Sequence, residues 1–256
     1  MNLSELVARY DEELRTDAYA GVDASANGLQ VGPTDGEHEI DHVAVAVDAA
    51  ATTIDEAAAA GADVLVTHHG LSWGGIERVT GRAYDRIAAL VDAEMALYVS
   101  HLPLDGHQEL GNAAGVADFL GLTDREPFAA MGGEPIGQHG RLTTPQSPAQ
   151  LRDRLDELPQ GGRETRLLPF GPDEVEHVAV VTGSGADFLD AAVDAGVDAF
   201  VTGEGKQQVY HQAREAGVNV LLAGHYATET FGVRSLAALA EDWGLETTYV
   251  EHPTGL

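Results

Sequence analysis

Two short segments of the sequence place histidines and a carboxylate where they could bind metal ions. His68 and His69 are adjacent, and His225 precedes Glu229 by four positions. Imidazole nitrogens and carboxylate oxygens are ligands for divalent first-row metals, provided that several of them converge from rigid elements. Adjacent side chains of an extended strand point apart, so the histidine pair suits two neighbouring ions better than one. If a helix begins at His225, its imidazole and the carboxylate of Glu229 lie on one face.

A third segment has the same spacing. His101 precedes Asp105 in HLPLD as His225 precedes Glu229 in HYATE, and each segment follows an apolar run that predicts a strand. A carboxylate can bridge two ions that lie roughly 3.5–4 Å apart. His101 is either a further ligand or a residue that orients one. The sequence therefore predicts two divalent ions and the following ligands: His68, His69, Asp105, His225 and Glu229.

The other histidines have a simpler interpretation. A single histidine near a strand end is more often a hydrogen-bonded or surface residue than a metal ligand. We therefore expect surface positions for His38, His42, His107, His139, His177, His211 and His252.

Apolar periodicity and turn residues predict the elements that would position these side chains. Strands that alternate with helices are typical of an α/β fold with a largely parallel sheet. A Gly- and Pro-rich stretch at 126–173 interrupts the alternation. The predicted helices are 3–14, 53–60, 84–94, 112–120 and 147–158, and the predicted strands are 42–47, 63–67, 96–100, 140–143 and 164–168.

The chain also contains an internal repeat. Residues 43–70 align without gaps to residues 178–205, and 12 of the 28 aligned positions are identical. Duplication of a strand-helix-strand unit predicts two interlinked, internally repeated α/β lobes with mixed, largely parallel sheets, at 1–125 and 126–256. The polar segments then follow strands in both lobes, where open α/β sheets bind ligands.

Two features of the second lobe have open interpretations. Glu204 aligns with His69 in the repeat, and it is either a proton-transfer group near the metals or a surface acid beside Lys206. Thr182-Gly183-Ser184-Gly185 lies between a predicted strand and a predicted helix. Such a loop either holds a phosphate at a helix N-terminus or is a turn whose glycines allow tight packing.

Composition narrows the class of protein. The formal net charge is -28, with 14 Lys+Arg residues and a single lysine, Lys206. Acidic residues spread along the whole chain are typical of a protein from a high-salt organism, where the Debye length falls to roughly 3 Å. Nucleic acid is disfavoured as a partner because phosphate neutralisation needs clusters of Lys and Arg. The sequence has no Cys, no basic-apolar signal segment and no apolar run of membrane-spanning length, so we expect a cytoplasmic protein with no membrane partner.

Several segments together resemble the GTP cyclohydrolase 1 type 2 homologue family, also described as NIF-three-like dinuclear-metal proteins. They are THHGLSWGG, SHLPLDGHQELGN, VTGSG, VTGEG and AGHYATE, and the resemblance extends from residue 27 to the final VEHPTGL. It implies two interlinked α/β lobes and a ring-shaped homohexamer whose metal sites face a central cavity. The family's ligands correspond to the five residues already singled out. Segment 126–173 contains no motif that matches.

The leading hypothesis is a metal-dependent hydrolase that acts on a nucleotide or a related phosphoester or heterocycle. Glu204 and His101 are the candidate catalytic proton-transfer groups. Imidazole and carboxylate ligands suit Zn, Fe, Mn, Co or Ni, so the sequence does not name the metal. The alternative is a non-catalytic metal-binding ring scaffold, or a protein that stores or delivers metal. A third hypothesis, a nucleic-acid binder that uses the ring cavity, conflicts with the net charge of -28.

Overall fold

Helices and strands alternate through most of the described residues, 1–34, 36 and 38–256, of the computed structural model. In chain order they are α1 (Leu3–Leu14), α2 (Thr16–Tyr19), β1 (Gly28–Val31), β2 (His42–Asp48), α3 (Ala51–Ala59), β3 (Val64–His69), α4 (Arg82–Asp92), β4 (Ala96–Val99), α5 (Leu102–Gly106), α6 (Asn112–Leu120), β5 (Leu122–Met131), β6 (Glu134–Gln146), α7 (Pro148–Leu155), β7 (Arg166–Leu168), β8 (Val175–Val181), α8 (Leu189–Asp194), β9 (Ala199–Thr202), α9 (Val209–Ala216), β10 (Asn219–Leu222), α10 (His225–Thr228), α11 (Thr230–Asp242) and β11 (Glu246–Tyr249). None of the helices in this part of the chain is long and apolar enough to span a membrane.

Local sequence explains where several helices begin and end. The Asn2 side chain accepts a hydrogen bond from the backbone N–H of Glu5 at the start of α1. At α7, Ser147 and Gln150 form a reciprocal capping box, with Pro148 at the first helical position. Helix α6 ends at Gly121, whose φ of 69° lies in the left-handed region that glycine adopts without strain.

The chain divides into two units. The first unit consists of Met1–Leu104 and Gly232–His252, and the second consists of Asp105–Phe231 and Pro253–Leu256. The predicted lobes, 1–125 and 126–256, differ from these ranges. The reason for one difference is that β11, late in the chain, pairs with β2 in the first unit.

The first unit is built on a five-stranded sheet with the order β1-β4-β3-β2-β11. The last four strands of this order are parallel, and β1 is antiparallel at the edge. Residues 43–47 and 64–66 are fully or almost fully buried, as expected for parallel strands covered on both faces. Helices α3 and α4 contribute Ile54, Ala57 and Leu90 to the core beside this sheet.

The second unit contains a six-stranded sheet with the order β5-β6-β8-β9-β10-β7. Strands β8, β9 and β10 are parallel, and the antiparallel strands flank them. Its core combines these strands with Val116 and Leu120 of α6 and Leu151 and Leu155 of α7. The predicted α/β fold class, with two mixed, largely parallel sheets, is confirmed.

The interrupting stretch is more regular than the sequence predicted. The expected strand at 140–143 is part of β6, a strand of 13 residues that forms a hairpin with β5. Gly132 and Gly133, both with positive φ, make the turn between them. Only two of the ten positions of β5, Leu122 and Phe128, are buried, so the strand has few of the buried apolar positions on which the prediction depended.

Candidate metal centre

The predicted histidines of the first unit lie together at one edge of its sheet. His68 and His69 end β3, and His101 follows β4, the parallel neighbour of β3. One ring nitrogen from each of the three lies within 4.8 Å of the others. Parallel neighbouring strands end at the same edge of a sheet, so this proximity follows from the topology. The structure thus brings His101 to the histidine pair.

Hydrogen bonds set the orientation of the histidine pair. His68 is fully buried, and its Nδ1 lies 2.9 Å from the backbone oxygen of Ser100. His69 Nδ1 lies 2.9 Å from Oδ1 of Asp48, the last residue of β2. An imidazole whose Nδ1–H donates to an oxygen has its Nε2 lone pair available for a metal. Both rings therefore have the hydrogen bonding that metal-ligating histidines usually show.

His101 has the same arrangement with a buried carboxylate. Its Nδ1 lies 2.9 Å from Oδ1 of Asp23, whose side chain is 1 % exposed. Burial acts to raise the pKa of Asp23, but His101 and hydrogen bonds from Asn27 and Ser25 outweigh it and lower the pKa to about 2. Asp23 is therefore a carboxylate across the physiological pH range, and it fixes the ring of His101.

Trp73 covers one side of these histidines. Its ring is 46 % exposed and meets His101 edge-on, with ring centroids 5.0 Å apart. The centroid of His69 lies 5.9 Å away. Trp73 thus forms an aromatic wall beside the histidines rather than part of the core.

His225 and Glu229 form the corresponding group of the second unit. His225 begins α10 just after β10, and Glu229 directly follows that helix, as the spacing predicted. His225 Nε2 lies 3.2 Å from Oε1 of Glu229, whose side chain is 3 % exposed. Burial acts to lower the pKa of His225, but the carboxylates of Glu229 and Glu204 outweigh it and raise the pKa to about 9. The His225 imidazole and the Glu229 carboxylate therefore face the same point, and a cation at that point could be bound by both.

Glu204 orients His225. Its Oε1 lies 3.2 Å from His225 Nδ1, and the hydroxyl of Ser184 donates to the same carboxylate oxygen. The hydrogen bond from Ser184 lowers the pKa of Glu204, against an opposing effect of burial, and His225 lowers it further. Lys206 pairs with Asp187. Glu204 is therefore not the surface partner of Lys206, and its position matches that of a residue that fixes a histidine.

Asp105 lies in α5 with two donors around its carboxylate. Its side chain accepts hydrogen bonds from Asn112 Nδ2 at 2.9 Å and from Thr182 Oγ1 at 3.1 Å, both to Oδ1. Asp105 is buried, at 8 % exposure. Hydrogen bonds to one oxygen fix the orientation of this carboxylate, as they do for ligating carboxylates in many metal sites.

The glycine-rich loop at 182–185 packs against the histidine-carboxylate pair. Gly183 has a φ of 57°, and a Cβ at this position would lie 2.0 Å from Glu229 Oε1 and 3.2 Å from His225 Nε2. Side-chain atoms of Glu229 therefore occupy the space next to the loop. Of the two interpretations of this loop, tight packing is the one that the structure favours.

Sequence reasoning missed Asp23 and Asp48 behind the candidate histidines, and it named Gly183 and Ser184 only as part of a glycine-rich loop. Asp48 had a usable signal, since it directly follows the predicted strand 42–47, whose observed counterpart β2 pairs with the strand that carries the histidine pair. Asp23 lies in an irregular segment that no periodicity places. Among the histidines expected at the surface, His211 and His252 are exposed, whereas the rest are partly buried: His38, His42, His107, His139 and His177.

The fold and these donor groups define an α/β protein with histidines and carboxylates at strand ends that are able to hold a metal ion. The family Duf34/NIF3 (NGG1p interacting factor 3) matches residues 1–254. The chain belongs to this family.

Individual relatives agree over the full length. The chain is 59% identical to a GTP cyclohydrolase 1 type 2 homolog of Halobacterium salinarum, with 100% of both chains covered. A solved structure described as protein ybgI, of unknown function, superposes with a TM-score of 0.91 at 35% identity, covering 100% of both chains. The crystal structure of TTHA1606 from Thermus thermophilus gives a TM-score of 0.88 at 39% identity, with the same coverage.

Proposed function

We propose that the protein binds two divalent metal ions and uses them as a hydrolase. The ligands are His68 and His69 in the first unit and Asp105, His225 and Glu229 in the second. One observation supports the proposal above the others. In both units, each candidate ligand histidine has its Nδ1 within hydrogen-bonding distance of an oxygen acceptor, an arrangement typical of histidines that bind metal through Nε2.

Bound divalent ions would lower the pKa of a coordinated water and so supply a nucleophile near neutral pH. The chain's own residues have separate tasks. The Nδ1–H of His101 donates to Asp23, so Nε2 is the atom that can accept a proton. Glu204 holds His225 and, with its lowered pKa, is ionised near neutral pH. His101 is therefore the better candidate for proton transfer, and Glu204 acts as a positioning residue.

The relatives' name suggests the class of substrate. Several are called GTP cyclohydrolase 1 type 2 homolog, including the one from Halobacterium salinarum. We infer a nucleotide, or a related phosphoester or heterocycle, as the substrate. The exposed ring of Trp73 beside His101 offers a surface on which a planar ring can stack. A non-catalytic metal-binding scaffold or a metal store is the competing proposal.

Self-association into a ring, a homohexamer by family resemblance, is the second part of the proposal. Large apolar side chains of the first unit are 44% to 61% exposed at Trp73, Ile76, Val79, Tyr84 and Val91. Exposed apolar side chains grouped in one stretch of chain are typical of an interaction surface. The net charge of -28 favours solubility, whereas exposed apolar side chains do not, so these side chains need another explanation, such as contact with a second chain. Light scattering on the purified protein in high salt tests the assembly directly.

Metal content per chain tests the metal site. The protein would be purified in high salt without a tag or chelator, and elemental analysis should give about two equivalents of divalent metal. His69→Ala and Glu229→Ala should each lose metal, whereas His211→Ala, which changes an exposed histidine, should keep it. If no metal binds even after reconstitution with Zn, Mn and Fe, the metal site is wrong.

Hydrolysis of a nucleotide and phosphoester panel tests the enzyme. The metal-loaded protein should turn over at least one compound, and the two metal-deficient variants should not. A protein that holds two ions and turns over nothing would favour the scaffold or storage proposal.

A further inference from the structure

A small cavity opens in the second unit at the edge of its sheet where β9 and β10 end. Its volume is about 200 Å³, and Arg166, Gly205, Lys206, Tyr210 and Leu222 contribute to its lining. Arg166 begins β7 and pairs in register with Leu222, the last residue of β10. The carboxyl ends of parallel strands are where α/β sheets bind ligands. The cavity is therefore in a position that suits a ligand.

The cavity is lined by two positively charged side chains, which is unusual in a chain this acidic. The protein has 14 Lys+Arg residues among 256 and a net charge of -28, yet two of these cations, Arg166 and the single lysine, line one cavity. Within the described residues, the Arg166 side chain has no carboxylate within ion-pairing distance. Lys206 pairs with Asp187, and the two side chains are 49% and 58% exposed. An exposed pair of this kind contributes at most about 1 kcal/mol, so an anion can replace Asp187 as the partner of Lys206.

We propose that this cavity binds the phosphate group of a phosphorylated small molecule, and the assignment rests on the proposed hydrolase function. Gly205 lines the cavity and directly follows Glu204, the residue that hydrogen-bonds His225. A phosphate anchored here would present the remainder of the substrate beside the candidate metal ligands of the second unit. The substrate class is therefore a phosphate ester rather than an uncharged heterocycle.

Size and chemistry both favour one phosphate group over a whole nucleotide. Pockets that enclose a complete drug-sized ligand measure roughly 300–1,000 Å³, which is more than this cavity offers. The planar fork of an arginine matches phosphate oxygens in pairs, and a lysine adds a compact positive charge. Leu222 and the ring of Tyr210 supply apolar walls beside these cations. Gln207 adds an amide donor to the same lining.

Calorimetric titration with inorganic phosphate and with pyrophosphate tests the cavity. The full chain would be titrated after removal of metal with a chelator, and again after loading with Mn, because bound metal also attracts phosphate. Arg166→Gln and Lys206→Gln should each weaken binding to the metal-free protein by about tenfold or more. Arg166→Lys, which keeps the charge but loses the fork, should fall between Arg166→Gln and the unmodified protein.

The control is Arg214→Gln, which removes an equal charge from an exposed position near the end of α9. Its phosphate affinity should stay within twofold of the unmodified protein. The cavity is not a phosphate site if Arg166→Gln and Lys206→Gln bind as tightly as the unmodified protein. The same conclusion follows if Arg214→Gln weakens binding equally, or if neither anion binds at millimolar concentration.

Metal content of the same variants separates this proposal from the function on which it rests. Loss of phosphate affinity in variants that keep their metal supports the cavity as an independent anchor. An unmodified protein that binds phosphate through Arg166 and Lys206 but never binds metal would overturn the hydrolase proposal and leave the anion site. Metal binding without phosphate binding would overturn the cavity alone.

Discussion

The two repeated strand-helix-strand segments, 43–70 and 178–205, share a framework but differ in the residues that carry chemistry. In each sheet the three central parallel strands run in the same order, with an antiparallel edge strand beside the third: β1 beside β4 and β7 beside β10. The first of the three central strands has a different neighbour in each sheet. In the first unit β11 pairs with β2 in parallel, and in the second unit β6 pairs with β8 antiparallel. The duplication therefore preserved the centre of each sheet and changed its flank.

Asp63 and Asp198 show how closely the framework is conserved between the repeats. The Asp63 carboxylate accepts hydrogen bonds from the backbone N–H groups of Asp41 and His42. At the aligned position, Asp198 accepts from the corresponding groups of Glu176 and His177. Each carboxylate satisfies donors at the start of the neighbouring strand, so this residue is required by the fold rather than by a site.

The strand ends differ instead. The first repeat has Asp48 and the histidine pair His68-His69, and the second has Gly183 and Gly203-Glu204 at the aligned positions. In the first repeat the strand itself supplies histidines and Asp48 supports one of them. In the second, the glycines make room for His225, and Glu204 supports it. The same backbone thus presents candidate ligands in the first repeat and, in the second repeat, residues that make room for His225 or support it.

Among the changes that test this difference between the repeats, Gly183→Ala should have the largest effect on metal affinity. The added methyl group would occupy the position of the Glu229 carboxylate, 2.0 Å from its Oε1. Glu229 and His225 must then move apart, and we expect metal affinity to fall by more than about 100-fold because a ligand is displaced, beyond the roughly 10–100-fold typical of outer residues. Titration with Mn or Zn, followed by elemental analysis, measures the loss.

Gly196→Ala is the matched control for that change. Gly196 also has a positive φ, of 68°, but a Cβ there meets nothing within 4 Å. Both variants carry the same backbone strain, about 1–2 kcal/mol, so any further loss in Gly183→Ala reports the clash with Glu229. Equal metal binding by the two variants would show that Gly183 serves the turn and not Glu229.

Asp48→Ala tests the supporting residue of the other repeat and should have the next largest effect. His69 would lose the acceptor of its Nδ1–H, which fixes the orientation of the ring. We expect metal affinity to fall roughly 10–100-fold. Asp55→Ala, which removes an exposed acid from α3, controls for the change in charge. An unchanged metal affinity in Asp48→Ala would mean that the hydrogen bond between His69 and Asp48 has no role in metal binding.

The fold was predictable from the sequence where periodicity and repetition agreed. Helix α1 and helix α6 have the predicted bounds, and strands β2 and β3 of the first repeat lie within two residues of the predicted ranges. The hairpin of β5 and β6 was not predictable in full, because an exposed strand carries little apolar alternation. Its turn residues, Gly132 and Gly133, were the available signal.

The candidate ligands were predictable because they lie within motifs at strand ends. Their supporting residues were not, because Asp23 and Ser184 reach His101 and Glu204 from loops that are distant in sequence. Only the folded chain places such pairs, and spacing along the sequence gives no sign of them. The family resemblance specified the ligands and said nothing of these contacts.

Asp23 and Glu204, the carboxylates that hydrogen-bond His101 and His225, should differ in their effect on stability at acid pH. This is the smallest of the expected effects and the most specific test of the comparison. Asp23 is buried, and its pKa falls from 3.8 to about 2 in the folded state. The unfolded chain therefore binds the proton more tightly. The stability due to this group is complete above about pH 4 and is lost as the pH falls toward 2. The shift corresponds to about 2 kcal/mol.

Asp23→Asn should therefore flatten the fall in unfolding free energy between pH 4 and pH 2, as measured by denaturant unfolding at each pH. Glu204→Gln should flatten it much less, because the Glu204 side chain is 49% exposed and solvent screens its interaction with His225. The two variants remove one carboxylate each, so a general effect of charge would change both profiles equally. Equal profiles would contradict the distinction between a buried support in the first unit and an exposed one in the second.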